Sequence, residues 1–254
     1  MKNKIILMIR KYEIKSHDGP GRYGKLDGEK TPKIFYEEDL KIAPSQGSAY
    51  NIDKEIAKLN VRETLRLAKE NADECDCAVI QGSKYINLRI ECLKGLEEIG
   101  YNVFVIANGD ELLTNPRELV DIVVNLRKNA HPSSVLIFTF AESSFMPILT
   151  YMGIDGFLSD ASNYYSYLNV LQTPTKAYDL NSYRIYEDLT PEELEEKNLE
   201  CLEFVIKEIQ SHMENSSLRN LVEERSTTSP QNVSTLKLLD KNYMDFILEY
   251  SQLF

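Results

Sequence analysis

Between Cys77 and Asp160, four short apolar runs, "CAVIQG", "NVFVIAN", "VLIFTF" and "GIDGFLSD", alternate with segments of a different rhythm. After the first run, Ile86, Ile90, Leu93 and Leu96 recur at three- and four-residue steps; after the second, Leu119, Ile122, Val123 and Leu126 do the same. Strands alternating with helices over short connections imply parallel pairing and right-handed crossovers, hence a barrel or a doubly wound sheet. Thr114-Asn115-Pro116 is a polar cap with proline in the first helical turn. Upstream, the short apolar run "LKIAPS" precedes a helix expected over residues 53–72, and residues 145–152 follow the third strand.

The two ends differ from this middle. "KIILMIR" is a strand candidate, and "SHDGPGRYGKLDGEKTPKIFY" carries Asp18-Gly19 and Asp27-Gly28 as hairpin signals. From Thr190 the pattern is helical only. Thr190-Pro191-Glu192-Glu193 reads as a capping box, and Leu194, Leu202, Val205, Ile206, Ile209 and Met213 mark one long amphipathic helix. Two shorter helices are expected after it, the second opening at Ser229-Pro230. The expected division is therefore an α/β unit over 1–188 and a helical extension over 189–254 packed on it.

A chain of 254 residues, 43% hydrophobic, can bury one large core. No run approaches the roughly 18 apolar residues of a membrane span, and the basic start lacks the apolar length of a signal peptide. The expected address is the cytoplasm, with no membrane partner. Four cysteines and three scattered histidines (His17, His131, His212) form no metal-binding spacing, so neither metal nor cofactor is expected. The net charge of -11 repels phosphate on average, so a polynucleotide role calls for a partner or a separate RNA-binding module, although a local basic face stays open.

Working residues of parallel α/β folds gather at the carboxyl ends of strands. Those ends read Gln81-Gly82, Ala107-Asn108-Gly109-Asp110, Thr139 to Glu142, and Ser159-Asp160. No Ser-His-Asp set and no glycine-rich phosphate loop is among them. Amides, exposed backbone beside glycine and an acid suit the hydrogen-bonding edge of a heterocycle. Spacing alone leaves open whether Gln81-Gly82 merely ends a strand and Asn108-Gly109 merely turns.

"VIQGSKYINLR" resembles the V-Q-G-G-x-y-x-D-L-R segment of tRNA-guanine transglycosylases. "NVFVIANGDELLTNPRELVDIVVNLR", "ILTYMGIDGFLSD" and the helical stretch from Asn198 follow in the family's order and are similar to its archaeal branch, the archaeosine tRNA-ribosyltransferases and the transglycosylase-like part of archaeosine synthase. "HDGPGRYGKLDGEKTP" resembles that family's R-x-G-x-L…T-P hairpin. The resemblance implies a TIM-barrel-like (β/α) transglycosylase fold, reduced in strand number, with an all-helical C-terminal segment. It implies that Gln81 and Gly82, with Ala107, Asn108 and Gly109, bind a 7-deazaguanine base, either free or carried in tRNA. The family's chemistry is base exchange through an aspartate that attacks the ribose carbon.

This sequence departs from that pattern. Where the family has G-V-D-x-F-D, "GIDGFL" matches the first aspartate with Asp155 and puts Leu158 at the second; Asp160 lies two positions on. Asp155 and Asp160 are the candidate catalytic carboxylates, and whether the chain catalyses is left open. The S-G-G-F-Q stretch and the zinc cysteines have no counterpart in this sequence, no C-terminal RNA-binding domain is expected from it, and the shortfall before "IAPSQGS" corresponds to about two barrel units, at roughly 30 residues each. Three readings follow: a partner-dependent component of archaeosine biosynthesis, a non-catalytic scaffold for an active transglycosylase or synthase, or a different small-molecule binder on the same kind of barrel.

Overall fold

The computed structural model describes residues 9–185 and 189–250, so the strand expected over residues 4–10 lies mainly outside the described residues. An antiparallel ribbon comes first: β1 (Tyr12–Asp18), β2 (Gly21–Leu26) and β3 (Glu29–Thr31). Asp27 and Gly28 both take positive φ, 50° and 94°, in the two-residue turn between β2 and β3, a conformation that matches the twist of the flanking strands. The ribbon leads directly into β4 (Lys33–Phe35).

Next come α1 (Lys54–Glu70), β5 (Ala78–Ile80), α2 (Ile86–Ile99), β6 (Val103–Ile106), α3 (Gly109–Thr114), α4 (Pro116–Asn129) and β7 (Val135–Phe138). They are followed by α5 (Met146–Tyr151), β8 (Gly156–Leu158) and α6 (Asp160–Tyr167). Asp53 caps α1 by accepting from the Glu55 backbone N–H at 2.9 Å, and Asn115 caps α4 ahead of Pro116. The four strands read from the apolar runs are all present and all parallel. With β4 they form one sheet in the order β4-β8-β7-β6-β5.

Both faces of this sheet are buried, and the side chains sort with a period of two. Ile80, Phe104, Ile106, Leu136, Phe138 and Phe157 pack outward among the helices. Phe35, Cys77, Val103, Val105, Val135 and Ile137 form a second, smaller cluster with Leu26 and Leu40, and Leu158 and Tyr12 pack against it. An apolar interior separate from the outer layer is what a sheet curled into a barrel produces. Among the described residues the sheet has five regular strands, and Ile42 makes a single parallel bridge with Cys77 beside its β5 edge. Among the described residues β4 and β5 do not pair, and residues 36–41 cross between them, with Leu40 turned into the interior.

The chain continues as a hairpin, β9 (Val170–Thr173) and β10 (Lys176–Asp179), then α7 (Pro191–Glu214), α8 (Leu218–Ser226), α9 (Pro230–Asn242) and α10 (Met244–Glu249). Thr190 and Glu193 form the reciprocal capping box, and Ser229 caps α9. Among the described residues three helices follow α7 where the periodicity indicates two, because the chain breaks at Tyr243, whose hydroxyl donates to Asp121 on α4 at 2.8 Å. Along α7, Gln210 donates to the Pro32 carbonyl at 2.7 Å and Glu203 accepts from the Tyr36 hydroxyl at 2.5 Å.

Candidate functional site

The loops that leave β5 and β6 are held together by a buried guanidinium. Arg89, on the first turn of α2, is 0% exposed. Its Nε donates to the Ser83 carbonyl at 2.6 Å, Nη1 to the Ala107 carbonyl at 3.0 Å, and Nη2 to Asn108 Oδ1 at 3.4 Å. Burial pushes its pKa down to about 10. Gly82 (φ 143°) fits because a Cβ there would stand 2.6 Å from the Arg89 backbone nitrogen. A Cβ on Gly109 would stand 2.1 Å from the Thr139 carbonyl oxygen. The room each glycine leaves is therefore taken by the protein itself, which explains both residues without a ligand.

Gln81 and Asn108 both face the loop that precedes α1. Gln81 Nε2 makes one long bond, 3.4 Å, to Ser45 Oγ. Its Oε1 is buried and finds no hydrogen-bond partner. Asn108, at φ 62°, donates from Nδ2 to the Ser48 carbonyl at 3.0 Å. Ser48 Oγ pairs with Ser83 Oγ at 2.8 Å. Two strand-end amides thus spend their donors on one loop, and one amide oxygen is left unmatched, at a cost of roughly 1–3 kcal/mol. A free acceptor beside a weakly held donor is chemically complementary to an edge that carries both a donor and an acceptor.

Asp160 lies elsewhere on the same carboxyl face. It is exposed in the first turn of α6 and lines a cleft of about 870 Å³ with Tyr36, Glu37, Glu38, Phe140 and Tyr164, walled on the α7 side by Glu195 and Leu199. Phe140 and Tyr164 pack with ring centroids 4.7 Å apart. Among the described residues no lysine or arginine lines the cleft, so its lining suits neutral or cationic groups better than phosphate. The Tyr164 hydroxyl donates to Asp110 Oδ2 at 3.3 Å, so the cleft wall is joined to the turn that carries Asn108 and Gly109. Leu158, at the position of the family's second aspartate, ends β8 packed against the interior cluster.

Asp155 is not brought to this face. It precedes β8 at the amino end, is 0% exposed, and accepts from Arg22 Nε at 2.9 Å, Tyr12 Oη at 3.1 Å and the Leu136 N–H at 2.8 Å, with Arg127 Nη1 at 3.4 Å. A second bond from Arg22 makes the contact bidentate. The surroundings are those of a structural ion pair that pins the N-terminal ribbon under the barrel. Gln81, Gly82, Ala107, Asn108 and Gly109 do converge. Reading strand ends missed Arg89, Ser45, Ser48 and Ser83; Arg89 stood within the quoted motif, but nothing in its spacing announced complete burial.

Among the described residues no group of three or more His, Cys, Asp or Glu is placed to hold a metal ion, and no helix is long and apolar enough to cross a membrane. The sequence profile described as queuine tRNA-ribosyltransferase matches residues 38–216. Over 212 residues, 82% of this chain, the sequence is 26% identical to archaeosine synthase of Methanocaldococcus jannaschii and covers 35% of that protein. It is 26% identical over 260 residues to the tRNA-guanine(15) transglycosylase of Pyrococcus furiosus, covering 90% of this chain and 44% of that protein. A shorter match, 32% over 103 residues, links 37% of the chain to 27% of a queuine tRNA-ribosyltransferase of Shewanella loihica. The chain thus spans less than half the length of these curated relatives.

Proposed function

Because the chain belongs to the queuine tRNA-ribosyltransferase family, we propose that it takes part in tRNA modification, as a base-recognising component of the archaeal 7-deazaguanine (archaeosine) pathway that works with a partner chain. The observation that carries this reading is the unmatched Gln81 Oε1 beside the weakly held Nε2 and the Asn108 amide. A deazaguanine presents a lactam N–H and carbonyl on one edge, and an amide side chain complements that pair with one donor and one acceptor. The base would displace Ser45 from Gln81 and Ser48 from Asn108, and Arg89 would keep both strand-end loops in register while it did so.

Partner dependence is supported by Leu158, which puts an apolar interior side chain where base exchange calls for a carboxylate. Asp160 is the nearest alternative on the carboxyl face, and its helix-start position lies past the strand end. The same observation favours the second reading, a non-catalytic scaffold that positions an active transglycosylase or synthase subunit. The test is binding of 7-cyano-7-deazaguanine and of tRNA carrying it, with and without a copurified partner. Base binding supports recognition by this chain. A stable complex with another chain, with no base or tRNA binding under any condition, leaves the scaffold. A covalent RNA adduct that disappears in Asp160→Asn would show that exchange chemistry is retained here.

A further inference from the structure

The chain's acidity is unevenly spread. Glu37, Glu38, Asp160 and Glu195 stand around the cleft. By contrast, α1 carries Lys54, Lys58 and Arg62 at successive four-residue steps, about 6 Å apart along one stripe of the helix. Lys84 adds a fourth cation from the loop after β5. Lys54 and Lys84 both lean over the Tyr85 ring, with Nζ 5.9 and 5.8 Å from its centroid. Tyr85 is fixed by its hydroxyl, which donates to the Ile52 carbonyl at 2.9 Å, and Lys84 Nζ donates to Asn51 Oδ1 at 2.6 Å.

None of these four cations forms an ion pair among the described residues, whereas Arg66, one step further along α1, is held by Glu63 and Glu70. Asp53 and Glu55 flank Lys54 in sequence, yet the Asp53 carboxylate is turned to the helix cap, where it accepts from the Glu55 N–H. A row of unpaired cations, two of them drawn together over one ring, is relieved by a row of anions. In a chain of net charge -11, such a row is a local surface toward which a polyanion is attracted, whereas the acidic cleft repels one. Lys84 lies in the loop that leaves β5, the strand whose end carries Gln81.

We propose that the ridge formed by α1 and the Lys84-Tyr85 loop is the docking surface for the phosphates of a single-stranded stretch of RNA. The proposal rests on the base-recognition reading above for what the docked nucleotide does, but its own evidence is the charge arrangement. The test uses the full chain and a fluorescein-labelled 15-nucleotide oligouridylate, titrated between 50 and 200 mM salt. Four phosphate contacts predict a slope of log K against log salt of about −3 for a single strand. The triple variant Lys54→Gln/Lys58→Gln/Lys84→Gln is expected to bind at least tenfold more weakly at low salt and to lose about 2 from that slope. The control Lys128→Gln/Lys237→Gln is expected to leave both unchanged.

Failure of the parent chain to bind at low salt, or an unchanged slope in the triple variant, overturns the proposal. So does self-association or acidic-protein binding that depends on these lysines while RNA binding does not. Free 7-cyano-7-deazaguanine, measured in parallel, separates the two claims. Base binding without RNA binding sinks the ridge alone, and lysine-dependent RNA binding without base binding sinks base recognition alone.

Discussion

Asp155 and Asp160 stand at opposite ends of the same three-residue strand, one sealed beneath the barrel against Arg22 and the other open to a cleft on the carboxyl face. Their substitutions should therefore separate cleanly. Asp155→Asn keeps the shape but leaves the Arg22 and Arg127 guanidinium groups buried with their shared charge removed. A loss of about 3–5 kcal/mol of stability is expected, read by urea denaturation. Asp160→Asn, at an exposed helix-start position, is expected to stay within about 0.5 kcal/mol of the parent.

The turn after β6 offers a second test. Gly109→Ala would bring a Cβ to 2.1 Å from the Thr139 carbonyl oxygen and 2.6 Å from its Oγ1. The turn must shift to admit it, at about 1–3 kcal/mol. A lowered melting temperature together with altered near-UV signals from the Phe140 and Tyr164 pair is the expected result. An unchanged melting temperature would mean that the β6 and β7 ends are looser than this packing requires.

A pH-dependent prediction comes from Glu111. Its carboxyl is raised above the ordinary 4.5, first by hydrogen bonding with Asp110 and then by burial. A raised carboxyl favours the folded state in its protonated form, so its contribution is complete below pH 4.5 and is lost as pH climbs through the folded value. At pH 7 the pair is a repulsion, and Glu111→Gln is expected to melt higher than the parent. The gain should shrink on acidification and vanish below about pH 4.5. Melting curves across that range check both the sign and the window.

Much of the scaffold was legible because its signals are local. The Thr190 capping box, Pro116 after Asn115, the Asp27-Gly28 turn and the apolar runs of β5 to β8 each occupy a few adjacent residues. The hairpin of β9 and β10 escaped, since its four-residue strands alternate too briefly to rise above a loop. The site was only half legible for a different reason. Gln81 meets Ser45 across 36 positions, Asn108 meets Ser48 across 60, and Asp155 meets Arg22 across 133. Chain proximity gives no hint of such contacts. The family motif pointed to the strand-end amides; only the fold shows that a serine loop occupies their donors and that Arg89 braces the two turns.

The most direct test of the account is calorimetric titration of 7-cyano-7-deazaguanine into the parent chain and into Gln81→Ala. The substitution removes the unmatched acceptor and the weakly held donor together, and among the described residues no other side-chain hydrogen bond of Gln81 is lost with them. The account predicts saturable one-site binding to the parent and a variant that folds normally but binds about 5- to 150-fold more weakly, the range set by the loss of about 1–3 kcal/mol of hydrogen bonding. Equal affinity in the two proteins, or no binding to the parent, would contradict the claim that Gln81 reads a base.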